Sequence, residues 1–427
     1  MFLNVMRKEI LENLHSYKFA VITLLSVVLV FTSLFVMYRD YLLRLENYEI
    51  LQPTSKQPVA IVQPAPLSIF VKGLDENMGR SYEVRFGGQI MVGSKQQSVN
   101  NLFRLFTTPD LLYVVKTVMA LCSILFAFST ITGEKESGTI RLVLSNSLGR
   151  TILLVGKWVG GYLSLVLPFC LAVLLGTILV TLSPLVQMSS EDWLRLGLFM
   201  LAALFYLAIF FSLGVLVSSI CHRSSTSLVI CLFTWALLVF MIPNLGNILG
   251  RQFVNLPSVQ QLEVTRNQIW IKQVFEMLNK LQIEKDSDEA QRNKGFQDLL
   301  SKINSENDKL ISDYRGRFNN LVTATKNITR ISPTASFTFL STDLAGTGLL
   351  EERSLKQAVV QYKDLIWDKP VDSDGNISGD FPAFSYRRSS VSQVMSEGGL
   401  GNLAILLLFN ILFFTVAYVS FLRYDVR

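Results

Sequence analysis

The residues best suited to a chemical role lie between two strongly apolar runs, in the short segment 133–148. The segment contains the charged triplet Glu134-Lys135-Glu136, then Ser137-Gly138-Thr139, and then the stretch Ile140-Arg141-Leu142-Val143-Leu144. Gly138 permits a chain reversal, and a helix after it has an apolar edge of Ile140, Val143 and Leu144. A short helix with an apolar edge and mixed charges suits docking into a cleft on another protein. The plain alternative is a solvated helix end, because Glu-Lys-Glu triplets are common on exposed turns.

The sequence contains no recognisable set of catalytic residues. A Gly-x4-Gly-Lys-Ser/Thr loop for binding phosphate is absent, and the nearest candidate, from Gly73 to Ser81, has the wrong spacing and lacks the lysine. There is no Gly-x-Ser-x-Gly elbow, and neither His15 nor His222 has a His or Cys at metal-ligand spacing. We therefore expect no catalytic residue, no metal site and no cofactor in this chain.

The composition indicates that the chain folds in a bilayer. Of its 427 residues, 50% are hydrophobic and only 17% are charged, and the mean hydropathy is +0.39; this is too apolar for a soluble domain. Six apolar runs are long enough to cross about 30 Å of hydrocarbon as helices. They cover residues 19–38, 111–132, 152–182, 193–220, 228–249 and 400–422. The predicted fold class is an α-helical polytopic membrane protein with six transmembrane helices.

The positions of the basic residues predict how the spans are oriented. Lys and Arg near span ends cluster on one side, at Arg7, Lys8, Lys18, Lys135, Arg141, Arg150, Lys157, Arg223, Arg423 and Arg427. The short loop on the other side, 183–192, has Glu191 and Asp192 and no basic residue. Because loops rich in Lys and Arg stay in the cytoplasm, both termini and the loop 133–150 are predicted to be cytoplasmic. The net charge of +6 is then an orientation signal, and we expect no nucleic-acid partner.

This orientation leaves two long polar segments outside. Segment 39–110 contains several prolines and short runs of β-forming residues at 59–62, 67–71 and 82–86. This pattern predicts a small α/β domain. Segment 250–399 has apolar residues at helical spacing on both sides of a polar stretch at 284–289. It is therefore predicted to be mainly helical, with an antiparallel hairpin at about 259–322. Neither segment contains cysteine, which excludes a disulfide framework there.

A few residues within the apolar runs stand out. Pro168 and Pro243, the latter followed by Gly246, predict kinks in the third and fifth spans and are possible hinges. Lys116 and Arg195 lie near span ends, where a charge either lines a path for a substrate or reaches back to the membrane surface.

Three features resemble the intracellular loop of ABC-2 type transporter permeases. They are the segment from Gly133 to Thr139, the short apolar-basic helix after it, and the start of the next span from Arg150 to Gly156-Lys157. Among these permeases, they are most similar to a bacterial six-helix, type V-like subgroup with a large extracytoplasmic insert. The resemblance implies that residues 134–148 form a coupling helix and residues 1–16 a cytoplasmic interfacial helix. It also implies two permease chains, identical or related, paired with cytosolic ATPase subunits that bind ATP and magnesium.

Two functions fit these observations best, and a third, a receptor or scaffold without any ATPase, fits them least. In the first, the chain is not an enzyme but a permease subunit that couples ATP hydrolysis by a separate ATPase to export across a bacterial inner membrane. In the alternative, nothing crosses, and the chain passes ATP-driven motion through its exterior hairpin to a periplasmic or envelope partner. The resemblance favours the first function. The large exterior segments and the scarcity of polar residues in the spans favour the alternative.

Overall fold

The computed structural model describes residues 2–54, 59–78, 82–85, 89–92, 109–140, 142, 149–283, 289–367 and 382–423. Six helical segments in this part of the chain are long and apolar enough to cross a membrane, and we number them spans 1 to 6. They are Tyr17–Leu51, Leu111–Glu136, Arg150–Thr181, Ser190–Ile220, Ser224–Phe253 and Val391–Leu422. The predicted α-helical polytopic fold is confirmed.

Some spans contain local changes of helix type. Span 1 belongs to the long helix Tyr17–Thr54, and spans 3 and 4 are continuous helices. Span 2 consists of Leu111–Tyr113, a π-helical turn at Val114–Met119, Ala120–Ala127 and Thr132–Glu136. Span 5 consists of Ser224–Ala236, a π-helical turn at Leu237–Met241, and Ile242–Phe253. Span 6 consists of Val391–Val394, a π-helical turn at Met395–Gly399, and Leu400–Leu422.

The chain forms two compact units. The first comprises Met1–Val239 and Ser332–Arg427, and the second comprises Phe240–Ile331. Outside the spans, the first unit contains the helices Phe2–Leu14, which we call the N-terminal helix, Asp75–Met78, Pro333–Leu344 and Leu349–Trp367. The second unit contains Ile242–Phe253 and two long helices, Val259–Ile283 and Glu289–Thr329, which we call the hairpin helices.

Span 4 is the centre of the first unit. Its backbone carbonyls at Leu204, Phe205 and Leu207 accept hydrogen bonds from side chains of three other spans. The donors are Tyr162 of span 3 at 2.6 Å, Asn410 of span 6 at 2.8 Å and Ser123 of span 2 at 2.8 Å. The Phe337 ring of helix Pro333–Leu344 stacks on Tyr206 of span 4, with 4.5 Å between centroids. These three polar side chains therefore fasten spans 2, 3 and 6 to span 4.

Lys116 and Arg195, the two charges near span ends, have different surroundings. Arg195 is only 5% exposed, and its guanidinium donates to the carbonyls of Leu344 and Ser389 and to the Glu191 carboxylate. It therefore ties span 4 to two neighbouring segments, which is neither of the roles expected from the sequence. Lys116 is half-buried, and its ammonium lies 5.7 Å from the centroid of the Tyr113 ring.

Outside the spans, the first unit draws on both polar segments. Strands Val59–Ala60, Tyr82–Arg85 and Gln89–Val92 form an antiparallel sheet in chain order. Ala60 and Met78 share a buried apolar cluster with helix Leu349–Trp367, through Leu355, Val359, Tyr362 and Ile366. The prediction of a strand at residues 67–71 is wrong. Pro66, whose fixed φ suits a helix start, begins the 3-10 helix Pro66–Ile69 there.

The proposed hinge residues lie in helical surroundings. Span 3 remains one helix across Pro168. Pro243 is near the start of Ile242–Phe253, directly after the π-helical turn of span 5. Gly246 and Gly250 face Thr329 and Thr325 so closely that a Cβ at either glycine would collide with the threonine side chain. Packing within the second unit therefore accounts for the small size of Gly246.

The N-terminal helix packs along the first half of span 3. A Cβ at Gly156 would lie 2.8 Å from the Val5 side chain, and one at Gly160 would lie 2.9 Å from Cβ of Glu9. These two glycines, four residues apart, open a groove on span 3 in which the N-terminal helix lies.

We expect Gly160→Ala to loosen this contact. Overpacking usually costs about 1–3 kcal/mol, so the variant should melt at a lower temperature in detergent than the parent protein. The control is Gly197→Ala in span 4, where a Cβ meets nothing within 4 Å and better helix propensity should leave the melting temperature unchanged or raised. Equal shifts in the two variants would contradict close packing at Gly160.

Candidate coupling site

The candidate site is the end of span 2, which is fastened to the end of span 4. The backbone N–H groups of Ile131 and Thr132 both donate to Oγ of Ser218 at 3.0 Å. Thr132 is fully buried beside Ser218. Two adjacent amides share one serine acceptor, so the last turn of span 2 is held in one place against span 4.

Glu134, the first residue of the charged triplet, faces the bundle and not the solvent. Its carboxylate lies 2.8 Å from Nζ of Lys157 on span 3, and the same ammonium lies 3.1 Å from the carboxylate of Glu9 on the N-terminal helix. The three side chains, which we call the Lys157 cluster, are 19%, 8% and 12% exposed in the order Glu134, Lys157, Glu9. One ammonium therefore joins the N-terminal helix, span 2 and span 3.

The Lys157 cluster contains two carboxylates for one cation. Burial raises the pKa of Glu9 above its usual value, and the neighbouring Lys157 ammonium opposes that rise. Losing one member of a buried ion pair costs far more than an exposed pair contributes, because the remaining charge stays desolvated. The cluster is therefore suited to fixing the position of the N-terminal helix against the bundle.

Lys135 and Glu136, the other two charges, hold the turn between spans 4 and 5. The Lys135 ammonium donates to the carbonyls of Ser219 and Cys221 at 2.5 and 3.0 Å, at the C-terminal end of span 4. The Glu136 carboxylate accepts from the Ser224 N–H at 3.0 Å and the Ser224 hydroxyl at 2.7 Å, at the N-terminal end of span 5. A cation at a helix C-terminus and an anion at a helix N-terminus both match the helix dipole.

The residues after the triplet divide into exposed and buried groups. Ser137, Gly138 and Thr139 are exposed, and Gly138 has φ +71°, in the left-handed region that favours glycine. Leu142 is 70% exposed, whereas Ile140 is 1% exposed. Ile140 was expected on the docking edge and instead packs inward. Arg141, Val143 and Leu144, also expected to dock, lie outside the described residues.

Sequence reasoning missed the partners of the triplet, although part of the signal was present. Glu9 follows Val5 and Met6 at helical spacing, so it shares their face, and a carboxylate on an apolar helix face calls for a partner. Lys157 lies about two turns into an apolar span, where an unpaired ammonium is costly. Ser218 and Ser224 carry no such signal, because serine is common in apolar helices.

Comparison with known proteins adds two findings. The family model described as ABC-2 family transporter protein matches residues 3–426. A curated relative from Stutzerimonas stutzeri, named probable ABC transporter permease protein NosY, is 30% identical over 140 residues. That match covers 32% of this chain and 49% of the relative, so the chain spans about half the length of the relative that it matches.

We expect Lys157→Met to release the N-terminal helix from span 3. The substitution leaves Glu9 and Glu134 buried together without a cation, at a cost of about 3–5 kcal/mol. The measurements are the melting temperature in detergent and the maleimide labelling of a Val5→Cys reporter, with the parent protein as background. Melting should fall and labelling should rise.

Two further variants make this result specific to the cluster. Lys8→Met removes an exposed pair with Glu12, in which the side chains are 61% and 58% exposed, and should change neither measurement. Adding Glu9→Gln and Glu134→Gln to Lys157→Met removes the unpaired charges and should restore part of the stability. If Lys157→Met has the same melting temperature and the same extent of maleimide labelling as Lys8→Met, the cluster does not hold the N-terminal helix in place.

Proposed function

Since the chain belongs to the ABC-2 family of transporter proteins and is a multi-pass permease subunit of an ABC transporter, we propose that it couples ATP hydrolysis to export across a bacterial inner membrane. ATP and magnesium bind to separate cytosolic ATPase subunits, and this chain holds no cofactor. A second permease copy, identical or related, completes the membrane part of the transporter. Both termini and the loop after span 2 face the cytoplasm, as the distribution of Lys and Arg predicts.

The observation that carries the proposal is the set of partners of Glu134-Lys135-Glu136. These three consecutive side chains contact span 3, the end of span 4 and the start of span 5, and Lys157 of span 3 links Glu134 to Glu9 of the N-terminal helix. A force on this segment therefore reaches four other elements without passing through a flexible linker. This arrangement suits a part that receives motion from an ATPase.

We assign the docking contact itself to the residues that the triplet leaves exposed. Ser137, Gly138, Thr139 and Leu142 are exposed at the end of span 2, and Leu142 is an apolar side chain that is 70% exposed. An apolar anchor beside small polar residues is suited to a cleft on a partner protein. Glu134, Lys135 and Glu136 then act as the connection between this docking surface and the bundle.

The proposal also assigns places where the bundle can bend. Pro168 removes a backbone hydrogen bond within span 3, and Pro243 follows a π-helical turn in span 5. Gly246 is the weakest of the three hinge candidates, because its missing side chain is required for contact with Thr329.

A mechanotransmission role remains the second candidate, in which no substrate is conducted. Two observations favour it. The hairpin helices contain 25 and 41 residues, and among the described residues the charges Arg195 and Lys157 are engaged in structural contacts instead of lining a path. In this role the hairpin would act on an envelope partner.

Co-purification tests the docking assignment. We expect the full-length protein to retain its ATPase subunits in detergent and Leu142→Glu to lower their recovery about tenfold, since a central apolar anchor contributes about 1–2 kcal/mol or more. The matched control is Leu185→Glu, an exposed leucine in the turn between spans 3 and 4, which should leave recovery unchanged. If neither the full-length parent protein nor Leu185→Glu retains an ATPase subunit, the assignment of this surface to ATPase docking fails.

Reconstituted vesicles separate the two candidate functions. If the protein exports an amphiphile, vesicles containing it with its ATPase should move a fluorescent lipid analogue between leaflets when ATP is added, as dithionite quenching reports. Deleting residues 259–322 should leave that movement in place. ATP turnover without any lipid movement, together with loss of envelope function on the same deletion, would favour mechanotransmission.

A further inference from the structure

The first hairpin helix, Val259–Ile283, carries an apolar stripe that the described residues of its unit leave exposed. Val264, Ile271, Phe275 and Leu278 are 55%, 47%, 62% and 51% exposed. Together with the exposed Gln268 they follow one another at steps of four, three, four and three residues. That alternation has the 3.5-residue period of a coiled-coil seam. We call these five residues the seam.

The seam lies on the face opposite the second hairpin helix. Gln273 is 1% exposed, and its side chain donates to Glu306 of the second hairpin helix at 3.1 Å. Glu276 contacts Lys302 of the same helix at 3.6 Å. In a heptad that places Gln268 and Phe275 at a, and Ile271 and Leu278 at d, Gln273 is at f, directly opposite the seam. The hairpin contact therefore leaves the whole seam available.

Membrane topology restricts how two copies can bring their seams together. Two copies inserted in the same orientation are related by a rotation about the membrane normal, and equivalent helices that follow that axis run parallel. In a parallel pair, each a residue meets its own equivalent, and Gln268 would face the other Gln268. Polar residues at a positions, here Gln268 and Gln261 one heptad before it, help to specify register and oligomer state at some cost in stability.

The charges around the seam also suit pairing with itself. Parallel coiled coils bring g positions of one helix near e positions of the other. Here those pairs are Gln260 with Thr265, Asn267 with Lys272, and Val274 with Asn279, so no two like charges meet. The acidic residues Glu263 and Glu276 lie at c and b, away from the seam.

We propose that the seam pairs with the same seam of a second copy, as a parallel two-stranded coiled coil centred on Ile271. This inference rests on the proposed function only in requiring a second permease copy, and not on the docking of an ATPase. Two heptads are too short to hold two free chains together, but copies held together in the bilayer meet at high effective concentration. The pairing would couple the second units of the two copies.

Cysteine cross-linking of the full-length protein in membranes tests the pairing. A disulfide requires Cα atoms about 4.4–6.8 Å apart, which equivalent d positions of a parallel pair approach. We expect Val264→Cys and Leu278→Cys each to form a disulfide-linked dimer under copper phenanthroline. The dimer fraction should be about tenfold above that of Glu263→Cys, a matched c-position control that faces away from the seam.

The other outcomes overturn the proposal in distinguishable ways. Cross-linking between Val264→Cys and Leu278→Cys chains, without self-linking of either, would indicate an antiparallel pair. Equal cross-linking at Glu263→Cys would indicate random collision, and a cross-link to a different protein would identify the seam as an envelope-partner site. Recovery of ATPase subunits is scored in the same samples, so loss of the seam pair and loss of the transporter assignment appear as separate results.

Discussion

A charge carried to the end of an apolar bundle needs a partner, and the structure depends on how Glu134, Lys135 and Glu136 meet this requirement. Each takes a different kind of partner: an ammonium, a pair of terminal carbonyls, and a helix N-terminus. Because three consecutive side chains cannot point in one direction, the partners belong to different elements. The triplet thereby fixes the geometry of one end of the bundle with very few residues.

The Lys157 cluster works only because the helices approach closely. The carboxylate of Glu9 reaches Lys157 because Gly156 and Gly160 place the backbone of the N-terminal helix against span 3. Packing and electrostatics are therefore two aspects of one contact. The glycines bring the charged side chains within reach of one another. Pairing of these charges then offsets the cost of removing them from water.

Periodicity and length predicted the spans and the hairpin, because hydrocarbon thickness and helix period leave few alternatives. The triplet was also recognised, but its interpretation as a solvent-facing docking helix was incomplete. A linear pattern shows that Glu134 is charged and near a span end, and it does not show that Lys157 and Glu9 lie beside it. Likewise, residues 67–71 are apolar enough for a strand, but Pro66 starts a 3-10 helix. The heptad spacing of the seam can be read from the sequence. Its exposure can be established only when the position of the second hairpin helix is known.

The apolar cluster outside the spans has a consequence for biosynthesis. Ala60 and Met78 are translated before spans 2 to 5, whereas their partners Leu355, Val359, Tyr362 and Ile366 are translated after those spans. The polar segment between spans 1 and 2 must therefore wait, with these apolar side chains uncovered, while four more spans are made. During that interval it is a natural client for a chaperone and a natural target for a protease. Final closure of the cluster then reports that most of the chain has been inserted correctly.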